Sequence, residues 1–407
     1  MNSERQILFY ALLFGVLLLL NTCKTDNNNL TTEQKIEDFE FFYNTLKESY
    51  PYFEVNKRMN EVDWLANKEK YLRRIELTRN NREFFMTFRT ILLALNNGHN
   101  DFFPTNKYDQ VLNVYRKAIP MNRAYQNWVD ELEKADTAKI AYWQNFINSG
   151  KSKSLRRKGP RTNKKRPSLK FFYNNEFAVI SIPSFGQWYI KRDRDSISDF
   201  LSKIEKSKVL IIDIQGNEGG SVMYWREHIV PRLIHEPLVY SRYMAYKNSA
   251  YIDNYYGAMN DEVKTFADLP ELKAAPMELR NDSSFVFMVD NDTIRPDRPV
   301  DFYGDIYVLT DAGVFSASES FAAFCKSTKW GTVAGERTAG DGISIDPVLI
   351  TLPNSGLIAR FSGVMGLNPN GSSNFEMKTE PDIPLYARSK SERLFKLISK
   401  IRFKEIE

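Results

Sequence analysis

Cysteine and histidine are scarce in this 407-residue chain: the cysteines are Cys23 and Cys325, the histidines His99, His228 and His235. Two cysteines cannot supply a disulfide framework, so stability must come from apolar packing. Scattered histidines without a cysteine pair give no zinc spacing, and no metal is expected. A phosphate-binding glycine loop and a dinucleotide fingerprint are also missing, so no cofactor is expected. Long hydrophobic runs are few. The clearest, Ile7–Leu20, is fourteen residues, short of the roughly 20 that a membrane-spanning helix needs. Positive charge is concentrated rather than spread. Nine Lys/Arg and no acid lie in Lys151–Pro167, more than the whole net charge of +5. The remainder is therefore net acidic, and a nucleic-acid-binding surface is not indicated.

What is present suits a globular protein, with 43% hydrophobic and 14% aromatic residues and length enough for a sizeable core. Arg5, the Ile7–Leu20 run and Leu20-Asn21-Thr22-Cys23 resemble a bacterial lipoprotein signal over residues 1–22. That resemblance implies that Cys23 is lipidated and becomes the mature N-terminus, with 23–31 as a tether. The alternative is an uncleaved anchor. In either case the body is expected outside the cytoplasm, at a membrane surface of the cell envelope.

Beyond the tether, Thr31-Thr32-Glu33 offers a helix start and Pro51 a stop after about Ser49. A second helix is expected over Asp63–Leu77. In a third, Phe84, Phe88, Ile91 and Leu95 recur at helical spacing, with Gly98 placed to end it. Residues 32–104 thus read as a small helical domain. Residues 105–168 read as a helical insert, with Trp128, Leu132 and Trp143 as core contacts, followed by the basic run. That run is either a solvated linker or a contact for anionic lipid phosphates. From Leu169 short apolar strands alternate with helices, which argues for an α/β core over 169–390. A C-terminal helix follows over 391–407. Residues 245–300 are expected as a lid or peripheral hairpin.

Two strand-to-helix turns carry chemistry. Asp213-Ile214-Gln215-Gly216-Asn217-Glu218-Gly219-Gly220 would let backbone N–H groups approach a ligand closely, or be only a turn. Gly313-Val314-Phe315-Ser316-Ala317-Ser318-Glu319-Ser320 opens a helix after an apolar strand. Its serines are either helix caps or a nucleophile beside free donors. His228 and His235 read as structural, and Cys325 as a small buried hydrophobe.

The ordered set Gly98-His99-Asn100-Asp101, Phe177–Phe185, Asp213–Gly220, Ser316–Glu319, Gly335–Gly340, Leu352–Gly356 and Glu380-Pro381-Asp382 resembles the tail-specific, or C-terminal processing, serine peptidase family. The resemblance implies a crotonase-like α/β fold, Ser316 as nucleophile, and an oxyanion hole from the N–H groups of Ala317 and either Gly219 or Gly220. Where many members place a dyad lysine, 25 residues after the serine, this chain has Asp341. Lys326 and Lys329 are expected to point away. The tricorn-core branch instead implies a histidine base, which maps to His99, and a supporting glutamate, for which Glu376 is the best match. The serine that precedes that histidine is Gly98 here; Asp101 is another candidate to orient the imidazole. The PDZ domain that many relatives carry is not expected in 105–168. The implied activity is a membrane-anchored extracytoplasmic serine endopeptidase acting on peptides or unfolded proteins. The alternative is a catalytically inactive peptide- or ligand-binding lipoprotein on the same fold.

Overall fold

The computed structural model describes residues 29–144, 168–259 and 263–404. The leader, Cys23 and the basic run Lys151–Pro167 lie outside the described residues.

The first helix, Thr32–Ser49, begins where Thr31 and Gln34 form a reciprocal capping box. It buries Phe39, Phe42, Tyr43 and Leu46 along one stripe. Helices Phe53–Asn60, Lys68–Glu76 and Asn81–Leu93 follow. The expected second helix is thus preceded by an extra one after Pro51 and starts later. The third ends at Leu93 rather than at Gly98, which lies five residues beyond in a loop. Helices Tyr108–Ala118, Gln126–Glu133 and 137–144 complete the first part. Trp128 and Trp143 are buried there, their indole N–H groups donating to the carbonyls of Pro347 and Ser355.

Twelve strands are described, β1 (Asp101–Phe102), β2 (Lys170–Tyr173), β3 (Phe177–Ser181), β4 (Val209–Asp213), β5 (Leu238–Lys247), β6 (Phe285–Ile294), β7 (Asp305–Thr310), β8 (Thr332–Gly335), β9 (Val348–Thr351), β10 (Ile358–Phe361), β11 (Met365–Leu367) and β12 (Ile383–Pro384). The main sheet runs β12-β8-β7-β4-β3-β2, parallel throughout except that β2 is antiparallel to β3. The first four residues of β3 and of β4 are all buried, as expected of parallel strands covered on both faces. Two antiparallel three-stranded sheets, β11-β5-β6 and β1-β10-β9, lie beside it.

The apolar core does not follow the boundary expected near residue 104. One cluster joins Phe42, Phe88 and Trp128 of the N-terminal helices to Tyr246, Phe287, Leu349 and Phe361 of the two smaller sheets. A second fills one face of the main sheet, with Ile212, Trp225, Val308, Val314 and Phe321. The other face packs on the C-terminal helix through Leu397 and Ile401. Residues 245–300 contribute to the antiparallel β5–β6 pair beside the main sheet, in line with a peripheral hairpin, but do not form a lid. Tyr246, Ile252, Tyr256 and Phe287 are almost fully buried, so this segment supplies core to the first cluster. Its legibility was low because β5 and β6 bury alternate stretches rather than one strict face.

Candidate active site

Strands β4 and β7 are neighbours in register, Asp213 opposite Leu309. The turns at their carboxyl ends therefore emerge side by side, where open α/β sheets present ligand sites. Phe315 N–H donates to the Asn217 carbonyl at 3.2 Å, and Gly216 N–H to Asp311 Oδ1 at 2.7 Å, tying the two turns together.

Ser316 precedes the helix Ala317–Thr328 with φ 58° and ψ −124°, and its side chain makes no cap bond. A left-handed backbone at a non-glycine residue costs about 1–3 kcal/mol and persists only where the surroundings impose it. Here Ser318 does the local capping. Its hydroxyl lies 3.1 Å from Phe315 N–H and 2.8 Å from the Phe315 carbonyl, and reaches the Asn217 carbonyl. Gly219, at φ 91°, packs directly under the turn: a Cβ there would lie 2.6 Å from the Phe315 oxygen and 2.9 Å from Ser316 Cβ. Freed from capping, Ser316 Oγ meets His99 Nε2 at 3.2 Å.

His99 arrives from the other cluster. Just after it, β1 pairs with β10, Asp101 opposite Arg360. Asn97 Oδ1 accepts from His99 N–H at 2.8 Å, and Asn100 Oδ1 from Ser362 N–H at 2.9 Å. The imidazole lies stacked on Phe315, centroids 4.9 Å apart. Its Nδ1 is 2.7 Å from Asp341 Oδ2. The Asp341 side chain is 1% exposed against 16% for His99, and the Tyr52 hydroxyl reaches its other oxygen at 3.4 Å. Serine hydroxyl, imidazole and buried carboxylate thus form one continuous chain of hydrogen bonds.

The structure places the acid differently from the sequence expectation. Glu376 is not at the imidazole: both its oxygens accept from the Arg58 guanidinium, at 3.0 and 2.9 Å. It sits on the one-turn helix Asn374–Met377. Asn374 faces inward and donates to Glu319 at 2.8 Å. Two residues later the side chain must project from nearly the opposite side. Asp101 pairs with Arg89 instead, Oδ1 at 2.8 Å. Lys326 pairs with Asp382. The acid at the imidazole, Asp341, is the residue that the sequence reading counts only as a lost lysine. A signal was present: an aspartate between Gly340 and Gly342, with φ 61° at Asp341 itself, in a loop only small or Asx residues favour. Gly98 also acquires a reason, because a Cβ there would lie 3.0 Å from the Phe315 ring. A serine before the histidine would compete with the ring on which the imidazole rests.

Of the glycine pair, Gly219 donates its N–H to Asn217 Oδ1 at 2.9 Å. Behind the turn, Glu319 is fully buried, accepting from Thr379 Oγ1 at 2.7 Å and from Asn374, while its Oε2 has no partner among the described residues. Burial pushes this carboxyl upward, and the hydrogen bonds only partly offset the shift. Asn374 also accepts from Gly342 N–H at 3.0 Å, so Glu319 anchors the loop that carries Asp341.

The model of peptidase family S41 matches residues 176–385. The chain belongs to that family. The match takes in Ser316, Asp341 and both glycines, while His99 lies before it. Membership in S41 supports a serine peptidase. No curated protein matches the chain at a significant level. Among solved structures, mature CPAF is 13% identical, with a TM-score of 0.52, covering 91% of this chain and 95% of its own. A Parabacteroides merdae protein solved as a candidate peptidase is 19% identical, with a TM-score of 0.52, covering 89% of this chain and 92% of its own. These likenesses concern the fold: an α/β peptidase core preceded by helices, shared over nearly the full length.

Proposed function

We propose that this S41 member is a lipid-anchored, extracytoplasmic serine endopeptidase with Ser316, His99 and Asp341 as its triad. The continuous Ser316–His99–Asp341 contact carries the reading. Asp341 holds the proton on Nδ1, which leaves Nε2 as the lone-pair nitrogen facing Ser316. His99 takes the hydroxyl proton as Oγ attacks the peptide carbonyl carbon. The developing oxyanion is received by the N–H groups of Ala317 and of a glycine of the Gly219-Gly220 pair, at the start of a twelve-residue helix whose dipole favours negative charge there. His99 then returns the proton to the departing amine, and water, deprotonated by the same imidazole, hydrolyses the acyl-enzyme. Peptides bound in extended form would pair by backbone hydrogen bonds with little demand on sequence. The occupied acid position favours the active enzyme over the inactive binding protein.

The test uses residues 24–407 and an unstructured peptide library read by mass spectrometry. Cleavage by the wild type, abolished in both Ser316→Ala and His99→Ala, is the expected result. Activity surviving His99→Ala would show that the base is another group. Anchoring is read separately: membrane-extracted protein should carry a diacylglyceryl group on Cys23, and its absence there refutes the lipoprotein reading. The Lys151–Pro167 run would add contact with anionic lipid, worth up to about 1 kcal/mol per basic residue near the surface.

A further inference from the structure

A cavity of about 650 Å³ lies between the helix Gln187–Leu201, the short helix Met223–His228 and the segment after β6. Arg194, Arg226, His228, Arg232, Arg295 and Arg298 line it. Three of these arginines already have carboxylates of their own. Arg194 pairs with Asp195 at 3.1 Å, Arg298 with Asp297 at 3.4 Å, and Arg226 with Asp292. The remaining three donors are not matched in this way. Arg232 gives Nη1 to Ser198 Oγ at 2.7 Å, but its Nε is buried without a partner among the described residues. His228 Nε2 is likewise buried and unpartnered, with Glu227 3.7 Å away, beyond hydrogen-bond reach. Arg295 is exposed and forms no ion pair among the described residues.

Buried donors without acceptors are costly, and native proteins keep them where a ligand or water completes them. Glu227 is the remaining lining acid, so two arginines and an imidazole share the cavity wall with one carboxylate, which lies beside His228. A carboxylate ligand offers two oxygens. A phosphoryl group offers three acceptor oxygens and close to two negative charges, which matches three donors, two on the stretch 228–232 and one on the segment after β6. Arginine forks suit it in geometry as well as charge. The cavity is also larger than a bare phosphate requires.

We propose that this cavity binds a phosphoryl dianion carried on an organic group, held by Arg232, Arg295 and His228. The site stands apart from the triad and does not depend on the peptidase reading. The source of the phosphoryl group is a soluble phosphate ester or a phospholipid headgroup at the membrane.

The experiment measures thermal stability of the full chain against inorganic phosphate at constant ionic strength. In parallel it follows co-flotation with phosphatidylcholine vesicles with and without phosphatidic acid. A ligand that binds only the folded state raises the melting temperature in a saturable way. Arg295→Gln, at an exposed position, should leave folding intact and weaken binding about tenfold or more, the loss of one charge-assisted contact. Arg298→Gln, already paired with Asp297, should bind within about threefold of wild type. Phosphate binding that Arg295→Gln weakens supports the proposal with a soluble source. Flotation that depends on both phosphatidic acid and Arg295, without phosphate binding, supports it with a lipid source. Binding to neither probe, or binding undiminished in both Arg295→Gln and Arg232→Gln, overturns it.

Discussion

Asp341→Asn separates the geometry found here from every arrangement in which another acid supports His99. The substitution is nearly isosteric in a pocket that leaves Asp341 only 1% exposed, so little repacking is required. Its effect is on the proton. A carboxylate 2.7 Å from Nδ1 can only accept, which fixes the hydrogen on that nitrogen. An amide can turn its NH2 toward Nδ1, and then the ring hydrogen moves to Nε2, 3.2 Å from Ser316 Oγ. Nε2 cannot then accept the serine proton. In a triad of this type the wrong tautomer lowers turnover about 10⁴-fold, or about 5 kcal/mol of transition-state stabilisation. The assay is steady-state cleavage of a fluorogenic peptide chosen from the library hits, with circular dichroism to show that the fold is retained. Glu376→Gln runs beside it and should stay within about threefold of wild type, since Glu376 serves Arg58. Turnover of Asp341→Asn within tenfold of wild type would refute the assignment. So would a loss in Glu376→Gln as large as that in Asp341→Asn.

Two further outcomes test the scaffold. Burial raises the Glu319 carboxyl in the folded chain, so the folded state prefers it protonated. Its contribution is most favourable below the unfolded-state value and declines as pH rises toward the folded-state value. The melting temperature of Glu319→Gln relative to wild type should therefore increase from about pH 4 upward, and a flat difference would contradict the shift. Gly98→Ser should lower both turnover and melting temperature, by about 1–3 kcal/mol of overpacking against Phe315. Phe315→Leu in the same chain should restore part of the stability, and a Gly98→Ser protein as stable as wild type would show that the ring yields freely.

The α/β core was legible because its signals are local. The apolar runs Val209–Ile212 in β4 and Ile306–Leu309 in β7, each leading into a turn with small residues, announce parallel strands and a ligand-facing edge. Thr31-Thr32-Glu33 likewise marks the start of the first helix, to which the structure adds the reciprocal bond of Gln34. His99 and Ser316, 217 positions apart in the chain, are joined by no local pattern, and it is the family resemblance that links them. The acid failed for the same reason. Whether Asp341 or Glu376 meets the imidazole depends on which way two loops face, and that is set by Asn374 turning inward onto Glu319. The shared core was hidden too, since each helix of residues 32–144 shows a buried stripe without showing what covers it.

The two apolar clusters meet at the site, and each brings one half of it. Phe102, next to the histidine loop, belongs to the first, while Val314 and Ala317, around the serine, belong to the second. The ribosome makes the base early, the nucleophile late and the orienting acid later still. A chain that ends between residues 316 and 341, by stalled synthesis, would hold the serine and the histidine without the acid that orients the imidazole. Synthesis as far as the Asp341 loop thus becomes the condition for a complete hydrogen-bond chain, a built-in delay between making the serine and orienting its base.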